Sequence, residues 1–287
     1  MNSPSLEETM RPFCFAKGDG WRRRFPAQRA ALVTNAHLGT VVFLMNPTEP
    51  PPTVFHITHW KAGSQWVSSV LKFAVGERLI HPQAGMGGPL GGPYQEGKIY
   101  SPVYASRAQF QALVPDDPAH RTFVVIRDPR DTLVSWYFSL MYSHGPAEPT
   151  VQESREELRA LNKTDGLALM IGKHLQEVAR IQHDWLTAGV RVFRYEEMAA
   201  NQQGTFKQIF EFCQLPTLGL RRRWIVFRHG FKVLTWSRLG RESAQSHLRK
   251  GVPGDWKNHF CDDLKKLFKA RYGETLALAG YEKDDSW

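Results

Sequence analysis

The chain has 287 residues, and its 37 Lys+Arg against 28 Asp+Glu leave a formal net charge of +9. That length suits one large α/β domain or two small ones, and the basic surplus favours an anionic partner, although charge spread along a chain also fits ordinary solvated surface. Cys14, Cys213 and Cys261 are too scattered for a disulfide framework or a zinc site, no apolar run approaches a bilayer span, and the polar start MNSPSLEETM is unlike a signal peptide, so a soluble cytoplasmic protein is expected.

Residues 1–52 read as an N-terminal extension: an arginine run at Trp21–Arg24, a short apolar run at Val41–Met45, then Pro50-Pro51-Pro52 as a boundary. Val54–Thr58 reads as a strand and Lys61–Ser64 as the turn after it. Gln65–Ile80 carries apolar residues at helical spacing, and residues 84–97, with six glycines, read as a loop that is a candidate lid. Lys98–Tyr104 is a second strand. Phe123–Ile126 is a continuous apolar run of the kind buried on both faces of a parallel sheet, leaving through Arg127-Asp128-Pro129-Arg130 into a helix over Asp131–Tyr142. A long helical stretch covers 165–188, Val190–Phe193 is a further strand leaving through Arg194–Glu197, and Asn201–Cys213 is a helix closed by Leu215-Pro216. Strands alternating with helices predict an α/β fold: a single domain over 53–287 with a central, mostly parallel sheet flanked by helices, of the P-loop-like nucleotide-binding kind.

Ligands of open parallel sheets bind at the carboxyl ends of the strands, and three basic segments converge there. In Lys61-Ala62-Gly63-Ser64-Gln65-Trp66, backbone N–H groups opening a helix cradle an anion, Gly63 permits close approach, Lys61 adds charge and Ser64 a hydroxyl. The plain alternative is a glycine turn with an exposed lysine and a core tryptophan. In RDPRDTLVS, residues 127–135, an arginine at the strand end and a serine on the next helix grip one phosphate from two sides. Here the plain alternative is a capping aspartate, Asp128 or Asp131, among surface arginines. In Arg249-Lys250-Gly251-Val252-Pro253-Gly254-Asp255-Trp256-Lys257-Asn258, two cations run into two glycines, and the alternative is a basic surface loop.

Taken together these three segments resemble the sulfotransferases that use 3′-phosphoadenosine-5′-phosphosulfate (PAPS). KAGSQW is similar to the 5′-phosphosulfate loop, RDPRDTLVS to the 3′-phosphate motif, and RKGVPGDWKNHF to the C-terminal nucleotide loop. The resemblance runs over roughly residues 53–287, and the tail ARYGETLALAGYEKDDSW looks like that of bacterial members. It implies that Lys61 contacts the 5′-phosphate and bridging oxygen, with Ala62, Gly63, Ser64 and Gln65 completing the cradle. It implies that Arg127, Ser135 and Arg249 hold the 3′-phosphate beside Lys250 and Gly251, and that Trp66, Tyr195 and Phe231 border the adenine. It further implies in-line sulfuryl transfer from PAPS as co-substrate, without a metal, to a hydroxyl or amine of a small-molecule acceptor, releasing adenosine-3′,5′-bisphosphate (PAP). Neither nucleic acid nor membrane is an expected partner.

The chain departs from the family in three places. Where cytosolic members carry Lys-Thr-His, this chain has Ser101-Pro102-Val103, so the general base must lie elsewhere; His59 and His144 are the leading candidates, ahead of His56 and Glu96. His229-Gly230 replaces a Ser/Thr pair, and Cys261–Leu264 replaces the dimerisation stretch, which leaves the oligomeric state open. Trp136, Tyr137, Phe138, Tyr142, Tyr100 and Tyr104 suggest a partly apolar acceptor pocket, although aromatics at such spacing are more often core. The rival readings are a P-loop kinase, which would want Gly-Lys-Ser/Thr for magnesium, and a non-catalytic nucleotide or RNA binder.

Overall fold

The computed structural model describes residues 51–82, 88–143, 149–215, 219–230, 252–284 and 286–287. Of the expectations above, residues 1–50, the first part of the glycine-rich loop, His144, Phe231, Arg249, Lys250 and Gly251 lie outside the described residues.

Five strands form one sheet in the order β2-β3-β1-β4-β5, every neighbouring pair parallel. They are β1 (Val54–Thr58), β2 (Leu79–Ile80), β3 (Ile99–Val103), β4 (Arg121–Ile126) and β5 (Arg191–Arg194). The chain builds leftward from β1 to β2 and β3, then crosses to β4 and β5 on the other side. The reversal leaves a crevice between the carboxyl ends of β1 and β4, where such sheets bind ligands. Strand alternation decides the two faces. Val54, Phe123 and Val125 join a core with α1 (Ser64–Val75), α7 (Tyr195–Ala200), α8 (Gln202–Phe212) and α9 (Gly219–Arg228). Phe55, Ile57, Val124 and Ile126 turn to the opposite face, against residues of α2 (Arg107–Gln111) and α6 (Leu175–Thr187). A third cluster joins α3 (Pro129–Phe138), α4 (Pro149–Arg159), α5 (Lys163–Lys173) and α10 (Asp262–Leu278).

Several expected boundaries move, each for a local reason. The helix expected over Gln65–Ile80 ends at Val75, because Gly76 takes φ 59° and donates its N–H back to Lys72; Leu79–Ile80 is then free to become the edge strand β2. The helix expected to open at Asp131 opens at Pro129, since Asp128 accepts the Arg130 N–H as N-cap and proline suits the first helical position. Its far end passes into a π-helical turn at Ser139–Ser143. The stretch 165–188 is two helices parted at His174, and the exit Arg194–Glu197 is already helical from Tyr195.

Candidate functional site

The phosphate-type loop lies at the carboxyl end of β1, in the crevice. Lys61 has φ 65° and Gly63 φ 83°, so the backbone twice enters the left-handed region before α1 begins. For lysine this is uncommon and strained, a feature that concentrates at functional turns. At Gly63 a side chain is excluded twice over. The backbone disfavours one, and a Cβ would lie 3.0 Å from Cδ2 of Tyr195. Tyr195, the first residue after β5, thus packs on the loop directly.

Two cations meet at this point. Lys61 donates from Nζ to Ser139 Oγ at 2.9 Å, and Arg127, at the end of β4, donates from Nη1 to the Lys61 carbonyl at 3.0 Å. The Arg127 guanidinium also lies 4.5 Å over the Tyr195 ring. Burial first, and the Arg127 charge second, push the Lys61 amine down to about 8. Among buried polar atoms, Arg127 Nε and Trp66 Nε1 have no hydrogen-bond partner among the described residues. Two packed cations and orphaned donors around a glycine-lined helix start fit an anionic ligand carrying more than one phosphate. Ala62 and Ser64 are buried, Gln65 is exposed, and Ser135 is half-buried on α3 one turn before Ser139. Trp66 is core-packed, edge-on to Tyr195 and Phe206.

His59 is wholly buried between β1 and the loop. Its Nδ1 faces the Trp60 carbonyl at 2.9 Å, which places the proton there. Its Nε2 accepts from the Arg127 N–H at 3.3 Å and the Gln182 side-chain amide at 2.8 Å. Gln182 also donates to the Arg127 carbonyl at 2.7 Å. Burial holds the ring at about 4, and neither nitrogen is left for an acceptor. His59 therefore ties the ends of β1 and β4 together. His56 is buried within β1, with Nδ1 2.7 Å from Ser101 Oγ and its pKa lowered to about 3 by burial, while Glu96 is exposed.

The α3 terminus is more than a surface cap. Asp128 accepts from Nε and Nη2 of Arg130 as well as from its N–H. Arg130 in turn donates from Nη1 to Glu282 at 2.6 Å and lies between the Trp256 and Trp287 rings, at 4.0 and 4.4 Å. The Asp128 N–H is accepted by Glu196, which also accepts from the Tyr281 hydroxyl. Asp131 receives the backbone N–H of Gly254 at 2.6 Å and of Trp256 at 2.9 Å. The part of the third segment from Gly254 to Trp256 is thus tied to α3. Sequence reasoning passed over Ser139, Gln182, Glu196 and Trp60. Only Ser139 had a signal, its spacing of four from Ser135 on a helix.

Of the aromatics, Tyr100, Trp136 and Tyr137 are core, as their spacing alone would favour. Tyr104 and Trp60 stack at 5.3 Å and Trp60 and Trp136 at 5.7 Å, and the Tyr104 hydroxyl donates to Ser64 at 2.8 Å. This stack forms an apolar wall beside the loop.

Comparison with known proteins agrees with the geometry. Residues 109–280 match the sulfotransferase domain model. Over 164 residues the chain is 27% identical to sulfotransferase 6B1 of Danio rerio, covering 55% of this chain and 52% of that protein. It is 26% identical over 166 residues to a 3-alpha-hydroxysteroid sulfotransferase of Cavia porcellus, covering 53% and 54%. The chain therefore spans about half the length of the curated relatives it matches. These animal relatives lend no support to the expected likeness to bacterial members. Two solved structures share the fold. A mouse sulfotransferase complexed with PAP aligns at TM-score 0.58 and 16% identity over 81% of this chain and 89% of that one. Retinol dehydratase, in complex with androsterone and PAP, aligns at 0.53 and 12% over 79% and 81%. With more than half of its length matched, the chain belongs to the sulfotransferase domain family.

Proposed function

We propose that the protein is a PAPS-dependent sulfotransferase acting on a hydroxyl or amine of a small molecule, releasing PAP. The observation that carries this reading is the meeting of Lys61 and Arg127 at the β1–β4 crevice, where Arg127 donates to the Lys61 carbonyl and keeps a buried Nε with no partner among the described residues. The relatives' names point the same way, since one is a hydroxysteroid sulfotransferase and two solved neighbours hold PAP. The domain on this reading spans 53–287, with 1–52 as an extension. A cytoplasmic setting belongs to the same reading, supported by the free thiols of Cys213 and Cys261.

PAPS supplies the sulfuryl group when bound. Lys61 neutralises charge on the leaving 5′-phosphate, and its Nζ, which donates to the Ser139 hydroxyl, shifts at small cost towards the oxygen where charge develops. Ala62–Gln65 present backbone N–H groups to the same phosphate. Arg127 and Ser135, with Arg249, Lys250 and Gly251, take the 3′-phosphate, and Trp66, Tyr195 and Phe231 border the base. Tyr195 holds Gly63 and Arg127 in register, which supports its place there. The Tyr104–Trp60–Trp136 stack forms one side of the acceptor site. His59 positions Arg127 rather than taking the acceptor proton. His144, one residue past the turn that carries Ser139, is the proposed base.

A thermal-shift titration tests this. PAP should raise the melting temperature far more than ADP, with or without magnesium, and Arg127→Ala should erase the difference. Equal shifts, or a preference for magnesium-ATP, would replace this reading with the kinase one.

A further inference from the structure

On the sheet face covered by α1, α8 and α9, α9 packs its Ile225 and Val226 into the core and turns a second apolar stripe outward. Leu220, Trp224 and Phe227, spaced i, i+4 and i+7, are 82%, 52% and 63% exposed, and Phe73 of α1 joins them at 48%. The Phe73 and Trp224 rings are 5.5 Å apart, so the two helices present one continuous aromatic patch. Arg221 and Arg228 lie on one flank of the stripe and Arg223 on the other, all exposed. Between them α1 and α9 carry Lys72, Arg221, Arg222, Arg223 and Arg228, and no Asp or Glu. The nearby Glu77 faces Lys72 at 3.5 Å.

We propose that this face docks the protein on the surface of an anionic lipid bilayer. An apolar stripe bordered on both sides by arginines needs an environment that is apolar and anionic within a few ångströms. A bilayer interface has that profile, because Trp, Phe and Leu settle at the headgroup–acyl boundary while arginines meet lipid phosphates and carboxylates. A nucleic acid would satisfy the arginines and leave Leu220 and Phe227 in water. Peripheral docking requires no spanning segment, so it stands beside the finding that no described helix is long and apolar enough to cross a membrane. The proposal departs from the expectation that a membrane is no partner. Phe73 lies nine residues from Ser64, about 14 Å along α1, so the face is separate from the nucleotide loop.

The test is co-sedimentation of the full chain with phosphatidylcholine vesicles, with and without phosphatidylserine. Binding should require phosphatidylserine and weaken with salt. The double variants Trp224→Ser/Phe227→Ser and Arg221→Glu/Arg223→Glu should each lower it about tenfold or more, while melting temperature and PAP response stay as in the parent protein. Failure to bind phosphatidylserine vesicles overturns the proposal. So does loss confined to the arginine variant, which would indicate unspecific charge attraction. A concentration-dependent dimer abolished by Trp224→Ser/Phe227→Ser would assign the face to a second copy instead.

Discussion

Lys61 shows how a buried charge works against the fold that holds it. Its amine is held at about 8 against an ordinary 10.5 by burial and by Arg127. Between those values the unfolded chain binds more protons than the folded one, so the destabilisation is fully present below pH 8 and fades as pH rises towards 10.5. Lys61→Met should therefore abolish sulfuryl transfer and, at pH 7, raise the ligand-free melting temperature by a few degrees, with the gain shrinking above pH 8. A lower melting temperature in the variant at pH 7 would show that the Ser139 bond outweighs the burial cost. At this scale the sequence was legible where chemistry is carried by residue type. Lys61, Gly63 and Arg127 meet as their segments suggested. It was illegible for His59, because nothing in THWKAG reveals that both ring nitrogens are engaged by Trp60, Arg127 and Gln182, the last of them 123 residues away.

Helix ends obey local rules, and the errors in reading them were local too. Asp128, Pro129 and Gly76 are ordinary start and stop signals, and the expected boundaries moved to them. What α3 does beyond forming a helix is different in kind. Asp131 sits in its first turn, where an acidic residue is favoured by the helix dipole, yet its carboxylate spends itself on two N–H groups of the turn at Gly254–Trp256. Asp131→Ala should leave those two donors without their partner and lower stability by about 1–3 kcal/mol. In amide hydrogen exchange Gly254 and Trp256 should lose protection ahead of the β4 amides. Uniform acceleration across the chain would mean that Asp131 supports the whole fold rather than this contact.

Across the whole molecule, buried histidine couples the sheet to pH. His56 lies inside β1 with its pKa lowered from 6.5 to about 3 by burial. The stability this contributes is complete above pH 6.5 and is lost as pH falls from there towards 3, because only the unfolded chain takes the proton. Compared with a His56→Asn variant, the parent protein should lose about 1.4 kcal/mol more per pH unit between pH 6 and 4, measured by denaturant unfolding. Parallel stability curves would mean that the ring is accessible to protons in the folded state.

By itself the sequence determined the fold class, the strands β1, β3, β4 and β5 to within two residues at either end, and the loops that bear charge, because apolar runs, glycines and cations act over a few neighbouring residues. Only the tertiary structure decided which of these meet. Strand order places β1 beside β4, and with that Lys61 beside Arg127. It buries His59, turns Arg130 into a clasp between Trp256 and Trp287, and leaves Leu220, Trp224 and Phe227 facing outward while Ile225 and Val226 face in. Those outcomes depend on residues far apart in the chain competing for the same space, which no local pattern encodes.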